Sequence, residues 1–260
     1  MHKIVFFRQI YIVFLLGTVT LGGCATTATN PNDPYEGWNR GVQKFNDTLD
    51  KYAMKPVAQG YQWITPGFVD RGITNFFSNI DDIGVTLNDL LQFKLLQAGQ
   101  DASRFLVNTT LGIAGFIDVP ATVNELEEEH QYGLPMIDLP KHEEDFDQTL
   151  GVWGVPSGPY LVLPFLGPSS PRGVFGIIGD TAMNPITYID NQIIQASLFV
   201  VKAVDFRADN LSASKIIDEQ PDPYQFIRDA YRQRVNYLVN DCHLEENADL
   251  CEPSLDYEDE

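Results

Sequence analysis

The sequence predicts an all-α protein. Apolar residues recur at helical spacing along most of the chain, no run alternates apolar and polar residues as a half-buried strand would, and no internal repeat suggests a solenoid or propeller. One stretch interrupts the pattern. Val152 to Arg172 is strongly apolar, with Trp153, Tyr160, Leu161, Val162, Leu163, Phe165 and Leu166, yet it carries Pro156, Pro159, Pro164, Pro168 and Pro171 with glycines between them. Prolines at this density exclude a regular helix and a central strand. The run is also too broken to span a bilayer, which takes about 20 consecutive apolar residues. Irregular backbone survives at membrane depth only where protein or a water-filled cavity satisfies its amides. This loop at 152–172 therefore belongs either under a packed core or along a protein-lined cavity near lipid.

The elements follow in order. Residues 1–23 read as a secretory leader, with Lys3 and Arg8 ahead of an apolar core from Ile10 to Val19 and small residues behind it. Leu21-Gly22-Gly23-Cys24 has the pattern of a bacterial lipobox, whose cysteine becomes the acylated first residue of the mature chain. Cys24 is thus expected to carry N-acyl and S-diacylglycerol chains. At ~0.8 kcal/mol per buried methylene, several chains on one residue anchor it in effect permanently. Ala25 stands where Asp would signal retention in the inner membrane, which favours the outer membrane. Residues 24–32 are a polar tether, and a helical domain is expected over 33–240.

Asp33-Pro34 opens a helix that places Trp38, Val42, Phe45 and Leu49 on one face until Lys55-Pro56 breaks it. A second run, Val57 to Ile64, ends at the turn signature Thr65-Pro66-Gly67. Phe68 to Phe93 is the strongest amphipathic stretch. Ile73, Phe76, Phe77, Ile80, Leu87, Leu90 and Leu91 form its apolar stripe, and Asn75, Asn79, Asp81, Asp82, Asn88 and Asp89 are expected to face away from the core, with a kink near Gly84. Gln97 to Phe116 is a further helix. Residues 121–148 read as a polar, mobile surface hairpin rich in Glu. Beyond the central loop, Gly173, Gly176 and Gly179 share a helix face, as close helix packing requires. Ile189 to Phe206 is apolar around much of its girth, hence buried or lipid-facing. The last helix starts at Asp222-Pro223 and carries Tyr224, Ile227, Tyr231 and Leu238 along one side.

Composition narrows the function. A net charge of −19 with no basic stripe excludes nucleic acid as a partner. No polybasic segment exists either, so membrane attachment is hydrophobic rather than electrostatic. Residues 241–260 form an acidic tail without Lys or Arg. With Cys24 lipidated, Cys242 and Cys251 remain, and an even count in an oxidising compartment predicts a disulfide between them.

Catalysis finds no foothold. No nucleophile elbow occurs, since Gly154-Val-Pro-Ser157-Gly158 has the wrong spacing. Phosphate loops and dinucleotide fingerprints are absent. His142-Glu143-Glu144-Asp145 does not have the spacing of a zinc protease helix, and its acids read as a solvated face. The sequence predicts no catalytic residue, no metal and no cofactor.

Asp33-Pro-Tyr-Glu36-Gly-Trp-Asn39-Arg40 with Phe45-Asn46 resembles the opening motif of the VacJ/MlaA lipoproteins, the outer-membrane component of the Mla (maintenance of lipid asymmetry) pathway. The resemblance continues in order through Asn75-Phe76-Phe77, Arg104-Phe105-Leu106-Val107-Asn108, Gly158-Pro159-Tyr160, Leu163-Pro164-Phe165-x-Gly167-Pro168 and Asp222-Pro223-Tyr224. Two places depart from it: the 121–148 insertion looks longer and more acidic, and in Asp145-Phe146-Asp147-Gln148 the last Asp, Asp147, stands where glycine is usual.

The resemblance implies a single ring-like helical domain embedded in one membrane leaflet, the inner leaflet of the outer membrane on its periplasmic face, with an amphipathic central channel. It implies a transient phospholipid ligand, drawn from the outer leaflet and passed to a soluble periplasmic carrier, and a trimeric porin as partner. Channel candidates are Trp153, Tyr160, Leu163 and Phe165 from the loop, with Asn75 and Asn108 as polar members. The competing reading is a structural lipoprotein that binds porin without moving lipid; a secreted lipid hydrolase stands third.

Overall fold

Helices carry most of the computed structural model, which describes residues 33–130 and 137–242. The leader, Cys24, the tether, Cys251 and the tail from residue 243 lie outside the described residues, so the acylation and the Cys242–Cys251 pairing remain expectations. α1 (Glu36–Leu49) passes through a π-helical turn (Asp50–Met54) directly into α2 (Lys55–Ile64). The break expected at Lys55-Pro56 does not occur. The wide turn sits ahead of Pro56, which falls in the first turn of α2, where a missing N–H does little harm.

α3 (Gly67–Leu91) runs unbroken past Gly84, reverses at Phe93, and packs along α4 (Leu95–Thr110). α5 (Val119–His130) follows, and an extended strap at 137–145 leads into α6 (Phe146–Val152). Asp145 caps α6 by accepting from the Gln148 amide. Then come β1 (Leu161–Leu163), β2 (Gly167–Ser169), α7 (Pro171–Met183), a 3-10 turn (Pro185–Tyr188), α8 (Gln192–Asp209), α9 (Leu211–Asp218) and α10 (Pro223–Val239). Asp222 caps α10 through the Tyr224 and Gln225 amides.

The β1–β2 hairpin corrects the expectation of a sheet-free chain. Leu161 pairs with Ser169, Val162 with Pro168 and Leu163 with Gly167. Pro168 is tolerated because both strands of a two-stranded ribbon are edges, and an edge residue need not donate. Phe165 and Gly167 take positive φ in the connection, of 66° and 82°.

The glycine repeat is helix packing, as the spacing predicts. A Cβ on Gly176 would stand 2.7 Å from Asp147 Cβ and 2.9 Å from its amide nitrogen, so α7 meets α6 with no room to spare. Gly176→Ala is expected to cost about 1–3 kcal/mol by forcing the two helices apart. Gly84→Ala, with nothing within 4 Å of the added carbon, is expected to raise stability by up to about 1 kcal/mol. Denaturant melts of the two variants in detergent check the contrast.

Contacts between elements close a circuit. α1 packs on β1, β2 on α10, α10 on α6, α6 on α3, α3 on α8, and α8 on α2, which the π turn joins back to α1. The apolar core is small: Val42, Tyr160, Val162 and Tyr224, with Tyr231 against them.

Candidate functional site

Much of the rest of the interior is polar, beside scattered buried apolar residues such as Phe77, Val85 and Ile186. Asn39, Asn88, Asp89, Asp101 and Thr149 have no exposed surface, and Asp82, Arg104, Asn108 and Gln148 have almost none. The outside is the reverse. Trp63 (87% exposed), Phe93 (84%), Leu96 (79%) and Ile193 (79%) lead a long series of exposed large apolar side chains. A soluble monomer rarely shows apolar surface on this scale. The polar side of α3 was expected to face away from the core. The structure places Asn79, Asp82, Asn88 and Asp89 inside and exposes Leu87 and Leu90. α8 is likewise outward-facing, with only Asp205 and Ala208 buried.

The interior network is built where α3 and α4 pack. Arg104 is bonded to Asp118, lies 3.7 Å from Asp82 and donates to the carbonyl of Leu139 (3.2 Å). Burial raises Asp82 to about 6 against the opposing pull of Arg104 and Lys141. Two turns along, burial and then a hydrogen bond with Asp101 raise Asp89 to about 8. Neither Asp89 oxygen nor Asp101 Oδ1 meets a nitrogen or hydroxyl donor. Two facing carboxyls resolve this by keeping one proton between them.

The 137–145 strap is fastened over this network rather than solvated. Glu144 is 8% exposed and accepts from Gln92 Nε2 (2.8 Å), Lys94 Nζ (2.7 Å) and Gln97 Nε2 (3.0 Å). His142 Nδ1 lies 2.8 Å from Asp101 Oδ2. Thr149 bridges Asn88 and Gln92 at 2.9 and 3.1 Å.

A second polar clasp joins the two ends of the domain. Tyr224 donates to Asp33 Oδ2 (2.5 Å), which Arg228 also approaches, and Arg40 grips Asp222 with both terminal nitrogens. Asn39 donates to Tyr160 O and accepts from Val162 N; Asn46 does the same for Leu163 O and Phe165 N. Four such bonds, at 2.8–3.0 Å, fasten the proline-rich segment to α1.

The six channel candidates fall into separate settings. Tyr160 is buried in the small core, Leu163 is bonded to Asn46, and Phe165 is exposed edge-on to Phe45. Trp153 is exposed and donates to Leu91 O (3.1 Å). Asn75 and Asn108 both brace the turn after α4, Asn75 through Phe116 O and Asn108 through Val119 N. Asp82, Asp89, Asp101 and Arg104 were not singled out as site residues, although Asp82/Asp89 and Asp101/Arg104/Asn108 recur at helical spacing, and Glu144 was weighed only as a metal ligand and read as solvated. Among the described residues no group of three or more ligating side chains could hold a metal ion, and no helix is long and apolar enough to cross a membrane.

The model of the MlaA lipoproteins matches residues 31–238. The chain belongs to the MlaA lipoprotein family. Two relatives are described as the intermembrane phospholipid transport system lipoprotein MlaA. The Haemophilus influenzae protein is 32% identical, over 90% of this chain and 92% of its own. The Escherichia coli protein is 32% identical over 86% of each. An uncharacterized Rickettsia felis protein is 34% identical over 76% of this chain. A solved structure, described as the structural basis for maintenance of bacterial outer membrane lipid asymmetry, superposes with a TM-score of 0.68 at 32% identity. It covers 80% of this chain and 99% of the solved one. The MlaA family therefore accounts for the helical architecture as well as the motifs.

Proposed function

We propose that the chain is an intermembrane phospholipid transporter of the Gram-negative envelope. It draws mislocalised phospholipid from the outer leaflet of the outer membrane and hands it to a soluble periplasmic carrier, with no covalent step. The inverted distribution of polarity carries this reading. A phospholipid crossing a leaflet needs an apolar route for its tails and a polar one for its headgroup. Exposed apolar helices such as α8 match lipid, and the ionisable interior matches a headgroup. A helical ring held in the inner leaflet by the acylated Cys24 provides both, and the closed circuit of element contacts supports a ring. A scaffold that only binds porin would want the apolar exterior, but it would have no use for buried carboxyls, whose desolvation is costly. Trimeric porin and the periplasmic carrier are proposed as partners on the family's account.

Mass spectrometry of lipid extracted with the chain from its own membrane is expected to show bound phospholipid. In vesicles, the reconstituted chain is expected to release labelled phospholipid to a soluble acceptor. Lipid-free protein that transfers nothing overturns the reading, and lipid-free protein that still captures porin favours the scaffold.

A further inference from the structure

A cleft of about 220 Å³ lies where β2, α6, α7 and α10 meet. Asp145, Asp147, Gln148, Asp180, Tyr231 and Arg234 are among its lining residues. The cations at this place are already engaged. Arg234 pairs with Glu143 at 2.7 Å. Arg172 closes on both oxygens of Asp147 (2.8 and 3.2 Å) and gives a further N–H to Val155 O.

The cleft's uncommitted polar capacity is acceptor capacity. Asp145 accepts the Gln148 amide (2.7 Å) and Asp180 the Phe146 amide (2.9 Å), and neither has an ion-pair partner among the described residues. Gln148 is 3% exposed; its Nε2 is given to Glu143 O, and its Oε1 has no donor. Burial raises Asp145 above the usual carboxylate range and Asp180 to about 6, as happens to carboxyls with no cation beside them.

Acceptors of both kinds, charged and neutral, call for a cationic donor. A metal ion does not fit, because the carboxylates do not converge as a ligand set. A primary ammonium does: it donates in three directions, and an aromatic wall such as Tyr231 attracts it further. We propose that this cleft seats a primary ammonium group and, resting on the transport reading above, that the group is the headgroup amine of an ethanolamine phospholipid.

Two experiments on the full chain and its Asp180→Asn variant test this. In the first, ethanolamine is titrated into the chain in phospholipid-free detergent, and the Gln148 side-chain amide is followed by NMR. A saturable shift is expected, with affinity about tenfold weaker in Asp180→Asn, which loses one charge-assisted bond but can still accept the Phe146 amide. In the second, the chain is equilibrated with vesicles holding equal amounts of ethanolamine and glycerol phospholipids, and the bound headgroups are counted. Several-fold enrichment of ethanolamine is expected, and Asp180→Asn is expected to abolish it.

Bound lipid at the input ratio, with no response to ethanolamine, overturns the cleft assignment and leaves lipid transport standing. A response to ethanolamine without headgroup enrichment makes this a site for a free amine and overturns the lipid assignment. No bound lipid at all overturns the transport reading, and the ethanolamine titration then decides the cleft by itself.

Discussion

Arg104→Leu is expected to destabilise the chain by about 3–5 kcal/mol, the usual cost of leaving a buried charge without its partner. The leucine keeps the apolar stem, so the loss reports charge rather than volume. Arg104 is 5% exposed at its side chain and stands between Asp82 (2%) and Asp118 (17%). It also ties α4 to the strap through Leu139 O. Without it, Asp82 has only Lys141 pulling against its burial. A triple variant adding Asp82→Asn and Asp118→Asn removes the stranded charges and is expected to recover more than half of the loss. Denaturant titrations in one detergent measure both, and a loss under about 1 kcal/mol in the single variant would show that the pair carries little net attraction.

How much of this was legible in the residues is clearest on α3. Asn75, Asn79, Asp82 and Asp89 fall at helical steps, so a two-faced helix could be read directly. Periodicity is silent about which face turns inward. The ordinary assumption, apolar side in, placed Asp82 and Asp89 on the surface, and the fold buries both. What breaks the tie is the solvent around the helix, and only Cys24 and the leader spoke to that. Glu144 was misjudged for a related reason: an acid-rich stretch reads as solvated until Gln92, Lys94 and Gln97, some fifty positions earlier, are seen to meet it. The β1–β2 hairpin was missed because three residues a side leave no alternation to detect. The glycine spacing in α7 and the Asp222-Pro223 helix start, by contrast, are local signals, and the structure bears both out.

Stability is expected to fall as pH rises from about 5 to about 9, the reverse of ordinary acid denaturation. Asp89 is raised to about 8, and Asp82 and Asp180 to about 6, each chiefly by burial. The folded chain therefore holds protons that the unfolded chain, with ordinary carboxyls, has already released. Where the folded state binds more protons, unfolding free energy decreases with pH. The penalty is complete above about pH 8, shrinks as pH drops through the folded-state values, and vanishes below about pH 4. Asp222 works the other way, held low by Arg40, so strong acid erodes the clasp at the domain's ends. Asp89→Asn separates these contributions. Its amide can donate to Asp101 as the protonated acid does, so it is expected to change little at pH 5. At pH 9 it spares the fold a buried charge and is expected to stabilise by about 1–3 kcal/mol. Melting temperatures across that range, with the slope flattened in the variant, are the measurement. A wild-type chain that grows more stable between pH 6 and 9 would mean that the Asp89–Asp101 pair does not share a proton in the fold.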